Sequence, residues 1–130
     1  MTTLQLDTHA LHWATAEPHL LSQPAVQRIE AASELVVADI TWWELAWLTQ
    51  HGRVVLGVPA LSWLRTLSGV VRTVGVTPAI AAAAAALPDS FPGDPADRLI
   101  YATAWEHGWQ LVTKDRRLRE HPAARPVTVW

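Results

Sequence analysis

The stretch Asp94-Pro95-Ala96-Asp97-Arg98-Leu99-Ile100-Tyr101-Ala102-Thr103-Ala104 reads as the opening of a helix with two carboxylates at its mouth. Asp94 suits the N-cap, Pro95 the first helical position and Asp97 the third. The run from Leu99 to Trp105 is almost wholly apolar, which predicts a buried helix ending near His107 and closed by Gly108. Acids at the start of a buried helix either cap it or belong to a site. Downstream, Gln110-Leu111-Val112-Thr113 predicts a strand, Lys114-Asp115 a turn, and residues 126–130 a last short strand.

Upstream the same alternation continues. Residues 3–6 form a short candidate strand ending at Asp7, and residues 9–14 one or two helical turns. Helices are predicted over 24–32, 41–51, 59–67 and 78–87, the third of these stretches carrying Leu61 and Leu64 on one stripe. Leu35-Val36-Val37-Ala38 suits a strand buried on both faces, and 73–76 a weaker strand. Gly52 marks the expected stop of the 41–51 helix. Helices alternating with short apolar strands predict an α/β fold, with a short, mainly parallel central sheet flanked by helices.

The chain has 130 residues, half of them hydrophobic, which predicts one domain over 1–130 with a proper core. It has no cysteine, which excludes disulfides, thiolate metal sites and a Cys nucleophile, and fits a reducing, cytoplasmic setting. No signal peptide is read at the N-terminus, and the longest apolar run, 79–87, is too short to span a bilayer, so no membrane partner is expected. Net charge is −2 but uneven: residues 1–96 hold 4 basic and 8 acidic side chains, residues 97–130 hold 6 and 4. The basic cluster Lys114, Arg116, Arg117 and Arg119 is either a solvated turn or a rim that attracts nucleic-acid phosphates. Eight tryptophans are expected in the core or at interfaces, with at least one of Trp42, Trp43 and Trp47 a candidate for a partner-binding groove.

Four acids each have an innocent explanation. Asp7 and Asp115 follow strands, where Asp caps or turns the chain. Thr41-Trp42-Trp43-Glu44 matches a capping box, and Asp94-Pro95-Ala96-Asp97 is a close variant. Their placement says more. In a parallel sheet, strands end at one edge and helices that return to them start there, so all four acids project toward the edge where α/β folds bind ligands. Carboxylates gathered there repel one another unless neutralised, and Mg²⁺ or Mn²⁺ is the natural counter-charge for oxygen donors. His9 and His12 are read as structural. No GxxxxGK[ST], GxGxxG or GxSxG occurs. The chemistry left is hydrolysis of a phosphodiester by a metal-activated water.

Leu6-Asp7-Thr8-His9-Ala10-Leu11-His12-Trp13, Thr41-Trp42-Trp43-Glu44-Leu45, Asp94 to Ala104, and Leu111-Val112-Thr113-Lys114-Asp115 stand in order across nearly the whole chain. In these motifs the sequence resembles the PIN-domain family, in particular VapC-type toxins of type II toxin–antitoxin pairs. The resemblance implies a PIN fold, a Mg²⁺- or Mn²⁺-dependent endoribonuclease, a homodimer and a VapB-like antitoxin. It also implies that Asp7, Glu44, Asp97 and Asp115 hold the metal and carry catalysis, with Asp94, Thr41 and Thr113 in support. One departure is local: Ser90-Phe91-Pro92-Gly93 precedes Asp94, where this subfamily often has a histidine. Two alternatives stand beside this reading. One is a catalytically silent PIN-like interaction module working through its tryptophans. The other is a phosphatase with Asp7 as nucleophile, disfavoured because residue 9 is His9 and not a second Asp.

Overall fold

The computed structural model describes residues 2–130. Five parallel strands form one sheet in the order β3-β2-β1-β4-β5, with β1 at Thr3–Leu6, β2 at Glu34–Ala38, β3 at Arg72–Val74, β4 at Gln110–Val112 and β5 at Thr128–Val129. The α/β class and short parallel sheet are those expected. The chain builds outward from β1 to β3, then crosses back to lay β4 on the other side of β1. The sheet therefore reverses its strand order between β1 and β4, where the connections part and leave a crevice.

Period-2 alternation splits the core into two layers. Leu4, Leu6, Val37 and Val112 face Leu11, Ala25, Leu45 and Leu67 from the helices α1 (Thr8–Ala16), α2 (Gln23–Ala31), α3 (Ile40–Gln50) and α4 (Ala60–Ser68). On the other face Ala38 and Leu111 meet Ile100, Tyr101 and Ala104 of α6 (Pro95–His107) and Leu118 of α7 (Arg116–Arg119). The alanine-rich α5 (Pro78–Ala86) packs on α6 through Ile80, Ala84 and Ala102. Gln5 is the polar exception within β1: fully buried, it donates to the Ile100 carbonyl at 2.8 Å and bolts the central strand to α6.

Local chemistry sets the helix ends. Ser22 and Thr77 cap α2 and α5 through their hydroxyls, each with proline in the first turn. Gly108 closes α6 at φ 69°, a left-handed conformation that suits glycine. Arg98 ties the start of α6 to the preceding loop, donating to the carbonyls of Pro92, Ala84, Leu87 and Pro88 at 2.9–3.2 Å.

Some expectations shift. The Thr41–Glu44 capping box does not form: α3 already starts at Ile40, and Thr41 is buried inside its first turn. The Glu44 carboxylate turns away from the backbone to accept from the Thr8 hydroxyl. The strand predicted over 73–76 lies at Arg72–Val74, because the Val76 N–H leaves the ladder for Asp39 Oδ2 at 3.3 Å and Thr77 then caps α5. α1 begins at Thr8, before the predicted residue 9, because Asp7 caps it. The 3₁₀ turn Pro18–Leu20 and the four-residue α7 are too short to show a period in sequence. The final strand keeps only Thr128–Val129 of 126–130.

Candidate active site

The crevice between β1 and β4 opens into a cavity of about 440 Å³. Asp7 leaves the end of β1, and its N–H donates to the Val112 carbonyl of β4 at 3.1 Å. Asp115 follows β4 and caps α7. Asp94 and Asp97 stand at the start of α6, which begins at this edge because it must run back to β4. Glu44 projects from α3. All five carboxylates line the one cavity.

Three of these aspartates are caps as well. Asp7 Oδ1 accepts from Ala10 N–H at 2.8 Å, Asp94 Oδ1 from Ala96 N–H at 2.8 Å, and Asp115 Oδ1 from Arg117 N–H at 2.9 Å. The two readings of these residues are thus compatible. One oxygen satisfies an orphan N–H of the helix start and fixes the carboxylate; its twin is left for other work.

The electrostatics are those of crowded acids. Burial pushes the Asp7 carboxyl above its ordinary range against hydrogen bonds from Thr113 and Ala10, and Asp115 adds to the rise. Burial also raises Glu44, with Asp94 and Asp7 contributing and the Thr8 hydrogen bond opposing. Asp97 is raised to about 7, first by burial and then by Asp94, Asp115 and Glu44, while Arg117 pulls the other way. A carboxyl raised this far at an edge lined by other acids is poised to exchange its proton for a cation.

Among the described residues, no three His, Asp or Glu side chains are already drawn into a cage for a metal ion. The acids face a common space, and a basic side chain stands among them: Arg117 Nη2 lies 3.3 Å from Asp115 Oδ2 and 3.7 Å from Asp97 Oδ2. The donor set nevertheless fits a hard divalent cation. It is all oxygen, it is anionic, and its members repel each other without a counter-charge.

The supporting residues divide. Thr113 is fully buried; it contributes to Asp7 and accepts from Asp115 N–H at 3.1 Å. Thr41 does not reach an acid directly. Its hydroxyl meets Thr8 Oγ1 at 3.3 Å, and Thr8 in turn donates to Glu44 at 2.5 Å. Thr8 is thus the residue that sequence reasoning missed; the available signal was its place beside Asp7 in the first turn of a helix facing the sheet edge. Of the basic cluster, Lys114 and Arg117 line the cavity, whereas Arg116 pairs with Glu120 at 3.6 Å and Arg119 lies outside. His9 and Trp13 also line it. Trp43 and Trp47 are exposed on α3, Trp47 stacked on His51 at 3.8 Å, while Trp42 donates to Thr73.

The sequence matches the PIN domain family over residues 5–124. It is 65% identical, over the full length of both chains, to "Ribonuclease VapC22" of Mycobacterium tuberculosis. Two solved structures share the fold. A toxin–antitoxin complex from Klebsiella pneumoniae superposes with a TM-score of 0.68 at 21% identity, covering 98% of this chain and 96% of that one. VapBC-1 of nontypeable Haemophilus influenzae gives 0.65 at 16%, covering 88% and 87%.

Proposed function

The chain belongs to the PIN-domain family, and on that footing we propose that it is the toxin of a type II toxin–antitoxin pair, an endoribonuclease that hydrolyses RNA with Mg²⁺ or Mn²⁺. The observation that carries this reading is the gathering of five carboxylates around the single crevice between β1 and β4. Its full-length relative named as a ribonuclease supports the activity, and the toxin–antitoxin complexes that share its fold support a VapB-like antitoxin as partner.

Asp7, Glu44, Asp97 and Asp115 are the residues we assign to the metal, with Asp94 holding the start of α6 in place. A divalent cation so held would supply an activated water and neutralise charge at the scissile phosphate. The protein's own part is placement. The caps orient Asp7 and Asp115, and the Thr41–Thr8–Glu44 chain orients Glu44. Thr113 steadies both Asp7 and the backbone of Asp115. In the metal-free protein Asp97 is raised to about 7 by burial and by Asp94, Asp115 and Glu44, so a bound cation would displace its proton near neutral pH. Lys114 and Arg117 at the rim attract the RNA backbone; Arg116 and Arg119 extend the basic surface beyond it. The full chain, 1–130, acts as one unit, pairs as a homodimer and works in the cytoplasm where its RNA is. Among the described residues no helix is long and apolar enough to cross a membrane.

The test is incubation of the purified chain with total RNA and Mn²⁺. Cleavage should occur, stop on chelation, and vanish in Asp7→Asn while the circular dichroism spectrum is kept. Undiminished cleavage by Asp7→Asn would refute the assignment.

A further inference from the structure

We propose that Trp13 and His9, with Lys114, form a stacking platform for one unpaired nucleobase of the RNA, beside the acid cluster; this rests on the endoribonuclease reading above. Both rings line the cavity that the acids line. They lie at i and i+4 on α1, one turn apart, with centroids 5.5 Å apart and planes inclined at 47°. Trp13 is partly buried and packs against Trp130, with ring centroids 6.0 Å apart and planes inclined at 59°. His9 is exposed at the outer edge. Lys114 Nζ lies over the Trp13 ring, 5.8 Å from its centroid.

The placement matches the parts of a nucleotide. A cation held by the carboxylates would take the phosphate. A base attached to that phosphate must then lie to one side of the cluster, within the length of a sugar. His9, Trp13 and Lys114 adjoin one another within the cavity lining and form an aromatic and cationic group there. Aromatic rings hold bases by their faces, and the flexible Lys114 side chain over the indole swings from that face to the flanking phosphate as the base stacks. Bases in a duplex keep both faces covered by their neighbours, so the platform selects single-stranded segments or loops. The competing account is that Trp13 only closes α1 against Trp130. In that case it would be indifferent to whether the RNA carries a base.

The experiment measures binding of a short single-stranded RNA by fluorescence anisotropy, with Mn²⁺ and in the Asp7→Asn background to suppress cleavage. The same RNA is then made with one abasic residue at each position in turn, and as a duplex. The expected result is that one abasic position weakens binding about five-fold or more, within the range of single base–aromatic stacks, and that the duplex binds worse than the single strand. Trp13→Leu should erase the difference between intact and abasic RNA, and the exposed His9→Ala should reduce it without touching the fold. Equal binding of intact and abasic RNA by the Asp7→Asn protein, or the same abasic penalty in Trp13→Leu, would overturn the platform. If the unsubstituted chain neither cleaves nor binds RNA, the endoribonuclease reading itself falls, and the platform with it.

Discussion

Arg117 and Asp97 come from different helices yet form an ion pair at 3.7 Å inside the acid-lined cavity, and the same guanidinium nitrogen lies 3.3 Å from Asp115. The protein carries its own positive charge where two carboxylates would otherwise confront each other. That side chain is 66% exposed and free to leave.

Replacing it should therefore help a metal. Arg117→Gln removes a competitor for Asp97 and Asp115, so Mn²⁺ affinity measured by calorimetry should rise several-fold. The metal-free protein should lose no more than about 1 kcal/mol, since exposed ion pairs contribute little.

The raised carboxyls make the metal-free protein sensitive to pH. Asp97 rises from 3.8 to about 7 on folding, so between those values the folded state binds more protons than the unfolded one. Stability from this group is full at low pH and lost as pH climbs through 7. A shift of that size amounts to about 4 kcal/mol at most. Melting temperature in chelator should fall between pH 5 and pH 8, Asp97→Asn should flatten the slope, and Mg²⁺ should restore stability at pH 8.

Thr8→Val keeps the shape of a fully packed residue and deletes the 2.5 Å hydrogen bond to Glu44. Glu44 would then sit higher still, because that bond opposes its burial. Metal affinity should drop about ten-fold, as for loss of groups that orient metal ligands, with the fold intact by circular dichroism. Thr8→Ser should recover most of it.

Arg98→Lys tests the clamp on the loop before Asp94. A lysine cannot reach four carbonyls at once, and the part-buried carbonyls of Ala84, Leu87 and Pro92 left alone have a cost. Urea denaturation should show a loss of about 2 kcal/mol, and hydrogen exchange should quicken at residues 87–93.

How much of this was legible beforehand depended on whether a residue's role is local. Asp94, Pro95 and Gly108 announce the ends of α6 because caps are encoded within a few positions. Asp7 and Asp115 were found because strands of a parallel sheet share an edge, so their convergence followed from topology. Glu44 was read from the same topology, as part of the helix that follows β2; the capping box that offered its local explanation does not form, because the carboxylate turns to Thr8, 36 positions away. Arg117 shows the same limit. It belonged to a basic cluster in sequence, yet only folding brings it to Asp97. Gln5, buried in a strand whose pattern asks for an apolar side chain, is explained only by the Ile100 carbonyl 95 residues on.

The register that sets Leu6 opposite Val112 has one more consequence. Asp7 follows the central strand β1, and Asp115 follows the neighbouring β4 with its N–H held by the Thr113 hydroxyl at 3.1 Å, so the two carboxylates are tied to adjacent strands of one sheet. An inhibitory protein cannot silence such a cleft by prising it wider or squeezing it shut without melting the strands. It has to act as a stopper, placing its own atoms across the mouth, and inhibition should lift intact the moment the stopper is withdrawn.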